Sequence, residues 1–240
     1  MRSAADAMSL GYAAKAAAVA AAASLMALPT APHAAPRTRA AEPVVTPYLA
    51  PSPTAARLAA WIIETGDNSG LPFVVVDKSA AVVSVYGTDG AELGSTPALI
   101  GQAIGDDSVP GIGDRPMSQI LPEERTTPAG RFVAAYGPAF GGARTLWVDY
   151  ATAISLHPVA TGNPKERRTQ RLKSPSPDDN RITYGCINVA AAFYKAVVHP
   201  TFAETKGVVY VLPDTRSLAE VFPSFGVRVL AEAAGGEGGR

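Results

Sequence analysis

The sequence predicts a mainly β domain, sandwich-like or barrel-like, with a short helix late in the chain and an exported leader before it. Three observations predict it. Between Leu71 and Leu212 the chain breaks into short runs rich in β-branched and aromatic residues. Turn signals separate those runs, most plainly Thr88-Asp89-Gly90, where Asp-Gly supports the positive φ of a hairpin. Helical periodicity is confined to two short stretches.

The elements follow in order. Residues 1–40 read as a signal peptide. Arg2 and Lys15 precede the apolar run Ala16–Leu28, which is short for a bilayer span but suits a secretory core, and Pro29 and small residues follow. Residues 41–70 read as a Pro- and Ala-rich linker and a short amphipathic helix. Thr54 is the expected N-cap of that helix, and Leu58, Trp61 and Ile62 share one face. Phe73–Asp77, Ala81–Tyr86 and Glu92–Ile100 are the first strands, and a glycine-rich loop follows to Pro116. Arg131–Tyr136, Leu146–Tyr150, Ala153–His157 and Val208–Leu212 complete the expected set. Residues 158–180 read as a polar loop, and Val189–Val198 as a helix capped by Asn188. These boundaries give a domain over 71–215 and a C-terminal extension with a Gly-rich tail over 216–240.

Composition narrows the function. The 240 residues carry 21 basic and 21 acidic side chains, so no net charge draws the chain to nucleic acid or an anionic surface. One cysteine, Cys186, excludes an intramolecular disulfide. An odd cysteine in an exported protein points to intermolecular pairing or a reactive thiol, while a buried inert cysteine fits the count equally well.

The surroundings of Cys186 favour reactivity. A thiol attacks as thiolate, so a nucleophilic cysteine needs a neighbour that lowers its pKa from about 8.5. The expected helix N-terminus just beyond Asn188 is one such influence. His157, at a strand end, is another and is the candidate base. His33 lies in the leader, and His199 ends the expected helix, where it suits the dipole. Gly185 permits tight backbone geometry, and the N–H groups of Gly185 and Cys186 are candidate oxyanion donors.

Ile154-Ser155-Leu156-His157, followed by Arg181-Ile182-Thr183-Tyr184-Gly185-Cys186-Ile187-Asn188, resembles the signature of the L,D-transpeptidase (YkuD-type) family. Thr127-Pro128-Ala129-Gly130 with Phe132 is similar to a second segment of that family, and the Phe73–Tyr86 strand pair to its opening hairpin. The resemblance covers about residues 71–212 and implies a YkuD-like fold and a peptidoglycan substrate. On that resemblance Cys186 would attack a stem-peptide carbonyl at an L-centre and release the terminal D-residue. An amine, a protein or water would then resolve the acyl-enzyme, with His157 as base and no metal or organic cofactor. Gly185, Tyr184 and Thr183 would support the motif, and Arg181, Asn188 and Arg171 would contact substrate. A non-catalytic peptidoglycan-binding module of the same fold and an L,D-carboxypeptidase-type hydrolase are the alternatives.

Two departures from the family pattern stand out. Tyr184 replaces the motif histidine before Gly-Cys, and with a pKa of about 10 it cannot serve as a base at neutral pH. The segment between His157 and Cys186 is long for the family. It carries Lys165, Arg167, Arg168, Arg171 and Lys173 against Glu166, readable as a solvated face or as a lid for anionic groups.

Overall fold

A computed structural model describes residues 50–139 and 144–228. The signal peptide, most of the linker and the Gly-rich tail read from the sequence lie outside the described residues. Among the described residues no helix is long and apolar enough to cross a membrane.

Helix α1 (Pro53–Thr65) starts two residues earlier than expected, because Ser52 rather than Thr54 is its N-cap. The Ser52 hydroxyl accepts from the Ala55 N–H at 3.1 Å, and Pro53 sits where its missing N–H costs nothing. Gly66, at φ 66°, ends the helix. Strands β1 (Phe73–Asp77), β2 (Val82–Tyr86) and β3 (Glu92–Gly101) form the opening meander. After a loop with short 3₁₀ turns come β4 (Gly130–Pro138), β5 (Arg144–Asp149) and β6 (Ile154–Pro158). The basic segment folds into short turns around α2 (Arg168–Arg171). Two short strands, β7 (Arg181–Thr183) and β8 (Ile187–Val189), flank Cys186. Then α3 (Ala191–Phe193) passes through a π-helical turn (Tyr194–Val198) into α4 (His199–Phe202), and β9 (Gly207–Val211) and α5 (Leu218–Val221) close the described chain.

The strands pair in the order β2-β1-β9-β4-β5-β6-β8-β3, and β2 also pairs with β3, so the sheet closes on itself with β7 beside β3. The fold is therefore mainly β and barrel-like, as the strand pattern predicts. Closure removes most free edges. The long β3 makes it possible: its first half pairs with β2, and Ala98 and Leu99 pair with β8.

Two apolar clusters explain why β1 and β9 lack alternation. Val74, Val76, Val209 and Val211 point inward with Leu146, Leu156, Ile187, Phe193 and Phe202. Phe73, Val75, Val208 and Tyr210 point outward, where Leu58, Trp61 and Ile62 of α1 and Phe222 and Phe225 cover them. Strands buried on both faces read as continuous apolar runs. Each fully buried Leu or Ile of α1 contributes about 1.5–3 kcal/mol of transfer free energy. Helix α1 and the C-terminal extension thus share one packed cluster with the barrel.

Candidate active site

The site is built from one parallel strand pair. Leu156 lies opposite Ile187 and His157 opposite Asn188 where β6 runs beside β8. Side chains alternate along strands, so Ile154, Leu156, Ile187 and Val189 fill the core. Ser155, His157, Cys186 and Asn188 are left on the other face. The Ser155 hydroxyl lies 3.7 Å from Cys186 Sγ, and Asn188 Nδ2 lies 3.0 Å from His157 Nε2. Cys186 donates to the Ala153 carbonyl at 3.5 Å, and it lies near enough to the His157 ring for each to shift the other's pKa.

Each member of the pair shifts the other. Burial pushes the Cys186 thiol up, but the hydrogen bond and charge of His157, helped by Ser155, outweigh it and the thiol pKa falls. Burial pushes the imidazole down, but contact with Cys186 and the Pro158 carbonyl outweighs it and the His157 pKa rises. Both shifts run in the direction of the thiolate–imidazolium form. His157 Nδ1 donates to the Pro158 carbonyl at 2.8 Å, which fixes the ring. The thiol is half-buried and free of any disulfide.

The loop carrying Cys186 is held from beneath. Gly185, at φ 123°, packs so closely that an added Cβ would lie 2.5 Å from the Thr126 carbonyl oxygen and 2.6 Å from Ile154. Only glycine fits there. The Thr127 hydroxyl donates to the Gly185 carbonyl at 2.8 Å and accepts from the Gly101 N–H at 2.8 Å. The Thr183 hydroxyl accepts from the Gly185 N–H and donates to the Cys186 carbonyl at 2.7 Å. The Gly185 N–H is thus engaged inside the loop, which corrects its expected place among oxyanion donors.

Several other expectations change. Asn188 does not cap a helix: it lies inside β8, and the helix begins at Ala191 with Ala190 at its N-cap. The drop in the thiol pKa therefore comes from His157 and Ser155, not from a helix terminus. Asn188 is fully buried and bridges His157 to Arg168, so it lies beneath the pair and not in a substrate's path. Arg181 pairs with Asp214 at 2.7 Å and also donates to the carbonyls of Ala103 and Lys78. Arg171 donates to the Glu166 and Asp179 carbonyls and so staples the basic segment to itself. Both arginines are occupied within the fold. Tyr184 stacks beneath the Arg125 guanidinium, 4.0 Å from its ring centroid. His199 does not close the helical run: it opens α4, which continues to Phe202, and it packs edge-on to Tyr136 at 5.6 Å.

Ser155 and Asn188 show why the polar positions of both strands matter; the alternation in Ser155-Leu156-His157 and Cys186-Ile187-Asn188 is the signal that marks them. Lys78 had no such signal. It is buried, and its ammonium donates to the Thr127 carbonyl at 2.9 Å and pairs with Asp106 at 2.9 Å and Asp214 at 3.3 Å. It thereby supports the segment that clamps Gly185.

Fold and site together define a β-barrel carrying a half-buried thiol beside a strand-end imidazole. No family model matches the chain, and no curated protein matches it in sequence. Solved structures do match. An L,D-transpeptidase from Mycobacterium smegmatis aligns at 15% identity and TM-score 0.34, covering 59% of this chain and 58% of that one. The catalytic domain of the E. faecium L,D-transpeptidase aligns at 17% identity and TM-score 0.33, covering 58% and 95%. The helical cell shape determining protein Pgp2 from Campylobacter jejuni aligns at 14% identity and TM-score 0.41, covering 65% and 55%. The matched region spans little more than half of the Mycobacterium and Campylobacter chains. The chemistry has to come from the site's own geometry.

Proposed function

We propose that this chain is an exported cysteine acyltransferase of the L,D-transpeptidase type, working in the cell envelope on peptidoglycan stem peptides. The observation that carries the reading is the placement of Cys186 and His157 on one face of the β6–β8 pair, where the thiol pKa is lowered and the imidazole pKa raised by each other. The motif Thr183-Tyr184-Gly185-Cys186-Ile187-Asn188 supplies the substrate class.

In this reading the Cys186 proton passes to the His157 ring, and the thiolate attacks the carbonyl carbon at an L-centre of the stem. The tetrahedral intermediate collapses as the bond to the terminal D-residue breaks, and the leaving amine takes the proton from His157. A thioester on Cys186 remains. An acceptor amine then attacks it and gives up its proton through His157, forming a new amide and restoring the thiol. With another stem as acceptor the product is a 3–3 cross-link, with a protein amine it is a wall attachment, and with water it is the hydrolysed stem.

Intact-mass measurement after incubation with a carbapenem tests the acyl-enzyme. The wild type gains one adduct mass and Cys186→Ala gains none. A wild type that gains no mass would instead favour a wall-binding module of the same fold. A muropeptide digest with the purified protein separates cross-linking from trimming of the stem.

A further inference from the structure

The basic segment between β6 and β7 reaches the base through one residue. Arg168 Nη1 donates to Asn188 Oδ1 at 2.8 Å, and Asn188 Nδ2 lies 3.0 Å from His157 Nε2. Amide orientation and ring tautomer are normally open choices, but here the groups at both ends have fixed roles. A guanidinium only donates, so the Asn188 atom facing Arg168 is its carbonyl oxygen. The Asn188 NH₂ then faces His157, and Nε2 must meet it with a lone pair. At the far side of the ring Nδ1 lies 2.8 Å from the Pro158 carbonyl oxygen, which only accepts, so Nδ1 carries the hydrogen.

We propose that Arg168 is a positioning residue for the base: by holding the Asn188 amide with its NH₂ toward the ring, it keeps Nε2 of His157 unprotonated, while the Pro158 carbonyl holds the hydrogen on Nδ1. The proposal rests on His157 being the base. It gives the basic segment a definite task. Lys165, Arg167 and Lys173 are solvent-exposed, whereas Arg168 is half-buried and turned inward, its Nε paired with Glu166.

The sign of the effect follows from the same contacts. The charged or titratable groups facing the ring are Cys186, ahead of β8, and Arg168, from α2, with Glu166 behind Arg168. An imidazolium would point its Nε2–H at the Asn188 NH₂ and toward the Arg168 charge. Arg168 therefore opposes proton transfer from Cys186 to His157 in the resting protein, and the thiol–imidazole form gains over the ion pair. Without the guanidinium the Asn188 amide can turn, its oxygen can accept from Nε2–H, and the thiolate–imidazolium pair is favoured.

Two-bond ¹⁵N–¹H correlation spectra of the full chain with labelled histidine read the tautomer directly, with the His157 signals assigned by their loss in His157→Gln. The wild type shows the Nδ1–H tautomer. Arg168→Met gains a proton at Nε2 while Nδ1 keeps its own, the imidazolium pattern, and Arg168→Lys, which keeps a charge and a donor, restores the wild-type pattern. The pH profile of Cys186 alkylation by iodoacetamide moves with it. Its acid limb shifts to lower pH in Arg168→Met, so that reaction is about threefold faster or more where the wild type is at a tenth of its plateau. An Nε2–H tautomer in the wild type would overturn the proposal without any variant. So would an Arg168→Met protein with unchanged ring protonation and unchanged acid limb. Both readouts are independent of the carbapenem adduct, so failure of the acyltransferase reading is seen separately.

Discussion

The reactive thiol depends on a glycine that has no room for a methyl group and on one threonine hydroxyl that both gives and receives. Replacing Thr127 by valine removes a donor from the Gly185 carbonyl and an acceptor from the Gly101 N–H, both buried. Each buried group left unpaired costs about 1–3 kcal/mol, so Thr127→Val should lower the denaturant midpoint by an amount worth about 2 kcal/mol or more. Adduct formation should slow while the thiol still reacts with iodoacetamide. Gly185→Ala is expected to be worse, since it combines a strained φ with a collision against the Thr126 carbonyl. Thermal denaturation of the two variants gives the order. Cys186 and His157 were legible as a pair from the strand-end place of His157, the Gly185-Cys186 turn and the family-like motif; the alternation in Ser155-Leu156-His157 and Cys186-Ile187-Asn188 agrees with it. That alternation puts Asn188 on the site face, and reading it as a helix cap missed the two-residue period. Arg168 and Lys78 were not legible as contributors. Their partners lie far along the chain, and nothing local distinguishes an inward-turned cation from a solvated one.

Among the secondary elements, the barrel strands were readable and the pieces around the cysteine were not. Strands β7 and β8 span three residues each, too short for periodicity to register, and they exist because β3 and β6 offer pairing edges. The helix that follows starts later than its sequence pattern implies because Ile187–Val189 is claimed by the sheet. The basic segment illustrates the opposite case. Read as a loop, it is organised by Arg171, whose donors reach two backbone carbonyls, and by the buried Leu172. Arg171→Ala should therefore act on order in this segment. Limited proteolysis within 163–180 is expected to accelerate, while the stoichiometry of the Cys186 adduct holds. Loss of the adduct with unchanged proteolysis would instead return Arg171 to a substrate-binding role.

What joins the barrel to its site is a buried charge network that no single segment encodes. Lys78 follows β1, Asp106 lies in the loop after β3, Arg181 begins β7, and Asp214 follows β9. Asp106 is the hub: it accepts from the N–H groups of Asp214 and Arg216, from the Thr215 hydroxyl and from Lys78. Burial raises its pKa, but these hydrogen bonds outweigh it and hold the carboxyl far below the usual aspartate range. A carboxylate with a depressed folded-state pKa contributes stability in full above its unfolded value, about 3.9. That contribution is lost as pH falls below it. Unfolding free energy should accordingly decline in acid, beginning near pH 4. Lys78→Met tests the network at neutral pH. Breaking one partner of a buried pair typically costs about 3–5 kcal/mol, because the carboxylates stay buried with less compensation. The acid dependence then separates charge from packing. Asp106 takes a proton in the folded protein only far below the usual aspartate range, and there the wild type loses the attraction that Lys78 provides, so the gap between wild type and Lys78→Met should narrow at the acid end. A gap that stays constant across denaturation curves from pH 7 down to about pH 1 would mean that the lysine stem stabilises the barrel by filling space and not through its charge.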